Sequence, residues 1–137
     1  MRLGIVASRF NEELSGELLK RAKAQAEKLG VELSVTSVPG ALEIPLALQW
    51  LAQSRHFDAL VAIGCVIRGD TYHFEIVANE SARGVMDVAL EFGVPVANGI
   101  LTTEDEAQAK ARLDKGAEAV RVAIEMAKLK PSSTGGA

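Results

Sequence analysis

A chain of 137 residues, 48% hydrophobic and 24% charged, is long enough for one globular domain around one sizeable core. Its formal charge of −3 argues against a polyanion such as nucleic acid as partner. One cysteine excludes an internal disulfide framework, and no stretch approaches the roughly 18 consecutive apolar residues of a membrane span.

After Met1-Arg2 the chain goes at once into Leu3-Gly4-Ile5-Val6-Ala7, with no signal-peptide layout, so a cytoplasmic protein is expected. Leu3 to Ser8 reads as the first strand. Asn11 is placed to cap a helix whose first turn carries Glu12 and Glu13, suited to its positive end. Leu14, Leu18, Ala22, Ala26 and Leu29 recur at helical spacing and predict one buried stripe, and Gly30 stops the helix. Val31 to Val38 is the second strand, broken by Pro39-Gly40. Ala41 to Gln53 reads as helix; Pro45 is tolerable only in a first turn, which puts the start near Ala41 or Leu42.

Asp58 to Ile67 is the third strand, and the third helix runs from Thr71 to Phe92. Ile76, Val77, Glu80, Val85, Met86 and Ala89 lie on its faces, and Gly93 ends it. Val94 to Leu101 is the fourth strand. Thr103-Glu104-Asp105-Glu106 fits a capping box, opening a last helix that continues to about Lys130. Residues 1–130 thus form a single domain, with a flexible tail expected at 131–137.

Four βα units imply a parallel sheet with right-handed crossovers and helices on both faces, a three-layer α/β domain. In such sheets ligands bind beyond the carboxyl ends of the strands. The richest of these ends is Arg68-Gly69-Asp70-Thr71-Tyr72-His73-Phe74. A glycine turn running into a helix start offers N–H groups and a positive dipole end to an anion. His73 in the same segment can move protons near neutral pH, although a lone histidine also serves as a structural residue. The plain alternative for the segment is a turn with Asp70 or Thr71 as the capping residue.

The other ends carry readings in pairs. Phe10 either stacks on a planar heterocycle or closes as a hydrophobic staple over the first helix. Gly40 and Ala41 let a ligand approach the backbone closely. Glu43 either complements the helix dipole or accepts hydrogen bonds from a polyol. Cys65 reads as a buried reduced thiol, and His56 as a surface residue. Arg112 and Lys115 on the last helix fit ordinary solvated cations.

No HExxH, CxxC or clustered His/Asp pattern appears, so no metal is predicted. The Walker pattern, a G-x-G-x-x-G after strand one and a G-x-S-x-G elbow are absent as well.

Five segments taken together carry a resemblance. They are Val6 to Asn11, Val38 to Pro45, Gly64 to Phe74, Asn98 to Thr103, and Lys115 to Ala119. In this order, at these strand ends, the chain resembles the lumazine synthase family of riboflavin biosynthesis from about Leu3 to Leu129. The resemblance implies a flavodoxin-like strand order 2-1-3-4. It also implies condensation of 5-amino-6-(ribitylamino)uracil with 3,4-dihydroxy-2-butanone 4-phosphate, without a cofactor.

It further implies that Phe10 stacks on the pyrimidine, and that Gly40, Ala41 and Glu43 hold the ribityl chain. Cys65, Val66 and Ile67 would meet the ring through their backbone. Gly69, Asp70, Thr71 and Arg112 would hold the phosphate, with the Asp70 carboxylate turned away, and His73 would shuttle protons. Asn98, Arg112 and Lys115 would reach the site from a neighbouring subunit of a pentamer. Asn98 stands where many relatives carry phenylalanine, and only Leu113-Asp114 separates Arg112 from Lys115, where relatives usually have more residues. No leading strand precedes strand one, so a pentamer or a pair of pentamers is expected rather than a shell. The competing readings are a related archaeal-type riboflavin synthase, a pentameric flavin- or lumazine-binding protein without turnover, and a bare flavodoxin-like signalling domain.

Overall fold

Nine consecutive residues, Ala59–Ile67, are apolar apart from one glycine, and eight of them are buried. A strand apolar on both faces belongs in the middle of a parallel sheet covered on both sides. The computed structural model, which describes residues 1–131, places it there. The strands are β1 (Arg2–Ser8), β2 (Glu32–Val38), β3 (Ala59–Ile67) and β4 (Val96–Thr103). Their order is β2-β1-β3-β4, all parallel, with Ile5 beside Val35 and Val61, and Ile67 beside Thr103. This is the expected flavodoxin-like order.

The helices are α1 (Glu12–Lys28), α2 (Ile44–Ser54), α3 (His73–Phe92), α4 (Glu106–Lys110) and α5 (Lys115–Leu129). Alternation along β3 sorts its side chains into two cores. Ala59, Val61, Ile63 and Cys65 join Leu14, Leu18, Val120 and Ile124 under α1 and α5. Leu60, Ala62 and Val66 join Ile44, Leu48, Val77, Val85 and Val88 under α2 and α3. α5 lies so close to α1 that a Cβ on Gly116 would strike the Leu18 carbonyl oxygen. No described helix is long and apolar enough to cross a membrane.

Several boundaries depart from expectation for local reasons. Asn11 does sit at the α1 N-cap, but in the left-handed region (φ 57°) and without capping through its side chain. Its Nδ2 donates instead to the Cys65 carbonyl at 2.8 Å. Leu29, expected in the buried stripe of α1, is exposed. Ala41–Glu43 is a 3-10 turn, and α2 proper starts at Ile44 with Pro45 in its first turn. Neither Asp70 nor Thr71 caps α3: Tyr72 occupies the cap position, and Thr71 Oγ1 accepts the His73 N–H at 3.3 Å. Of the residues placed on the faces of α3, Val77 and Val85 are buried, whereas Ile76 and Met86 are exposed.

The largest correction concerns the last helix, which is two helices. Thr103 is not its cap; it is the last residue of β4, buried and paired with Ile67, and its hydroxyl donates to the Asp105 carbonyl. Asp105 caps α4, accepting the Gln108 N–H at 2.8 Å, while Gln108 Oε1 accepts the Glu104 N–H at 2.8 Å. The cap therefore lies two residues downstream of the predicted box, and Gln108 takes the N–H of the residue before the cap rather than that of Asp105 itself. The turn 111–114 then redirects the chain into α5. The tail expected at 131–137 lies, beyond Pro131, outside the described residues.

Candidate active site

Beyond the carboxyl ends of β1, β2 and β3 lies a cavity of about 490 Å³. Phe10, Gly40, Ala41, Glu43, Cys65, Val66, Ile67, Gly69, Thr71 and His73 line it, together with Asn11, Leu42, Phe74 and Val77. Ten of the predicted site residues are therefore brought to one place. Asp70, Asn98, Arg112 and Lys115 are not among its lining.

Each wall is fixed by a short connection. The Arg9 N–H donates to the Val38 carbonyl at 3.0 Å, and the Phe10 N–H donates to the Pro39 carbonyl at 3.2 Å. With the Asn11 bond to Cys65, these tie the turn after β1 to both neighbouring strands. The Phe10 ring is 71% exposed, so it does not close over α1 as a staple and instead offers an open face at the cavity. In the connection after β2, Gly40 has extended backbone, and Glu43 Oε1 lies 3.1 Å from where a Cβ on Gly40 would stand. A side chain at position 40 would thus crowd the Glu43 carboxylate.

β3 ends at Ile67, and Gly69, Thr71 and His73 form an exposed rim over it. The Cys65 thiol is buried, and its pKa is raised by loss of solvation and, secondarily, by the charge of Glu106. It is held as a neutral thiol rather than a nucleophile. Arg68 precedes the rim and is bound on both sides, by Glu75 and by Glu104. The hydrogen bond from Arg68 holds the Glu75 carboxyl below its ordinary range. Nothing in the sequence signalled this cluster, because its three residues share no periodic spacing.

A second cavity of about 460 Å³ holds Arg112 and Lys115, with Asp114, Glu118 and residues 100–103 of β4. Arg112 Nη1 donates to the Gln108 carbonyl at 2.9 Å, and among the described residues it pairs with no carboxylate. Lys115 Nζ lies 3.5 Å from Glu118. Asn98 lines neither cavity; it is exposed on β4, its Oδ1 accepting the Ile100 N–H at 2.9 Å. Among the described residues no group of three His, Cys, Asp or Glu side chains is arranged to hold a metal ion.

The first cavity offers an open aromatic face, close backbone approach, a carboxylate, a turn of small residues and a histidine. That set suits a planar heterocycle with a polar chain and an anionic co-substrate. Comparison with known proteins leads to the same chemistry. The family model described as 6,7-dimethyl-8-ribityllumazine synthase matches residues 1–131. The protein of that name from Nitrosomonas europaea is 60% identical over 131 residues, which cover 93% of this chain and 80% of that protein. Those from Burkholderia multivorans and Cupriavidus necator are each 56% identical over 133 residues, 94% of this chain, covering 77% and 80% of the relative. The chain belongs to the 6,7-dimethyl-8-ribityllumazine synthase family.

Proposed function

We propose that the chain joins 5-amino-6-(ribitylamino)uracil to 3,4-dihydroxy-2-butanone 4-phosphate, giving 6,7-dimethyl-8-ribityllumazine, phosphate and water. The observation that carries this reading is the gathering of Phe10, Glu43, Gly69, Thr71 and His73 around one cavity at the strand ends. Phe10 stacks on the pyrimidine, and Glu43 accepts hydrogen bonds from the ribityl hydroxyls beside Gly40 and Ala41. The backbone of Cys65, Val66 and Ile67 borders the ring. The N–H groups and hydroxyl of Gly69, Asp70 and Thr71 hold the phosphate, with the Asp70 carboxylate turned away from like charge.

The amine of the pyrimidine attacks the ketone carbonyl, so the enzyme needs no lysine nucleophile and no cofactor. His73 passes protons during imine formation and phosphate departure, help typically worth about 10²–10⁴ in rate. Holding two substrates in contact supplies much of the rest.

The same reading places the second cavity at a subunit interface. Within one chain Arg112 lines a different cavity from Gly69 and Thr71. A neighbouring copy in a ring of five brings Arg112 to the phosphate, with Asn98 and Lys115 beside the ring pocket. Sedimentation should give a pentamer or a pair of pentamers.

The deciding experiment mixes purified protein with both substrates and follows lumazine fluorescence against an enzyme-free control. Clear acceleration supports the reading. Tight flavin binding by folded, assembled protein without acceleration would favour the flavin-binding alternative.

A further inference from the structure

Arg68 directly precedes the Gly69–Thr71 turn, yet the chemistry above gives it no task. Its guanidinium is already engaged. Nε faces the Glu104 carboxylate, Nη1 faces the Glu75 carboxylate, and the group lies over the Phe74 ring, 4.5 Å from its centroid. Phe74 in turn packs against the core under α2 and α3. The Arg68 backbone N–H donates to the Thr103 carbonyl at 2.9 Å. A guanidinium shared by two carboxylates is a poor ligand for a further anion, but a planar fork is well suited to bracing two segments.

The segments it braces matter. Glu75 lies in the first turn of α3, two residues after His73. Glu104 lies between β4 and α4, and its N–H donates to Gln108 Oε1 at 2.8 Å. The Gln108 carbonyl accepts from Arg112 at 2.9 Å. A continuous path of contacts therefore runs from the rim of the first cavity to the cation of the second.

We infer that Arg68 is a positioning residue, which braces the Gly69–Thr71 turn and the start of α3 against the β4–α4 connection and so sets the anion-binding backbone. This rests on the condensation reading and adds to it a residue that does not touch substrate.

The test is steady-state kinetics of Arg68→Ala, its folding checked by circular dichroism. The KM for the phosphorylated ketone should rise about tenfold and kcat should fall, because small misplacements of a positioning group are costly, while the KM for the pyrimidine stays unchanged. Arg68→Lys should recover only part of the loss, since one ammonium cannot fork to both carboxylates. Equal rises in both KM values, or constants like those of the wild type, would overturn the inference. If Arg68→Ala does not fold, Glu104→Gln should show the same selective rise in smaller measure, and no rise overturns the inference. A wild type without turnover sinks the condensation reading alone. Titration calorimetry with inorganic phosphate then decides: weaker binding by Arg68→Ala supports the brace, and equal binding overturns it.

Discussion

The two cavities are nearly equal in volume, about 490 and 460 Å³, and differ in chemistry. The first draws its helical lining from α3 and the turn before α2. It is largely apolar and backbone, with one carboxylate, one histidine and neither lysine nor arginine among its lining residues. The second draws on α5 and the turn before it, and collects Arg112, Asp114, Lys115 and Glu118 without an aromatic ring. One can stack, enclose and donate backbone N–H groups; the other can neutralise charge. In the proposed reaction the first would hold the heterocycle and the backbone contacts to the phosphate ester, and the second would add the countercharge. The contrast gives assembly a chemical use in the proposed function, in which a subunit would supply the shaped half of one site and the charged half of the next.

Breaking the first half should have the largest effect. His73→Ala is expected to lower kcat by about 10²-fold or more while leaving substrate affinity nearly intact, as read by turnover and equilibrium binding. Wild-type turnover would remove His73 from the chemistry. Arg112→Ala tests the second half. Loss of a charge-assisted contact of roughly 1.5–3 kcal/mol should raise the KM for the phosphorylated substrate and spare that of the pyrimidine. Mixing His73→Ala with Arg112→Ala subunits sharpens this, because mixed rings would contain sites with both halves intact. Recovered activity would place the halves on different chains, and none would place them on one.

Gly116→Ala separates packing from chemistry. Its Cβ meets the Leu18 carbonyl, so α5 must move off α1, which should cost about 1–3 kcal/mol in denaturant unfolding. The second cavity should suffer and the first should not: phosphate use should fall before pyrimidine binding does. Phe10→Ala is the mildest change, expected to weaken pyrimidine binding by about 0.5–1.5 kcal/mol with little change in stability. Unchanged affinity would end the stacking assignment.

The two halves also differed in how far the sequence revealed them. The first could be read directly, because the apolar run to Ile67 breaks into the polar, glycine-containing Arg68-Gly69-Asp70-Thr71, a local signal of a strand end. Apolar runs bounded by breakers located all four strands, helical spacing located α1, and proline and glycine signals bounded α2 and α3. The region after β4 was misread because Thr103 satisfies a capping pattern locally, while pairing with Ile67 keeps it in the sheet. Tertiary pairing outweighed local preference there, and one predicted helix became α4, a turn and α5. The separation of Arg112 from the Gly69–Thr71 turn within one chain is a matter of topology, which no local pattern encodes. The Asn11 side chain escaped for a similar reason: its partner, Cys65, is far along the chain, and a residue suited to capping was assigned the nearer task.

That misassigned asparagine has a consequence for Phe10. A ring standing 71% in solvent would ordinarily sample many orientations, and a ligand would have to bear the entropy of arresting it. Here the peptide on its N-terminal side is bonded to Pro39, and the residue on its C-terminal side is anchored to Cys65. The backbone freedom of the loop is removed when the protein folds, so only the ring's own torsions are left to settle when substrate arrives. In the proposed stacking, part of the affinity for a flat heterocycle would thus be provided in advance by an amide that need never contact it.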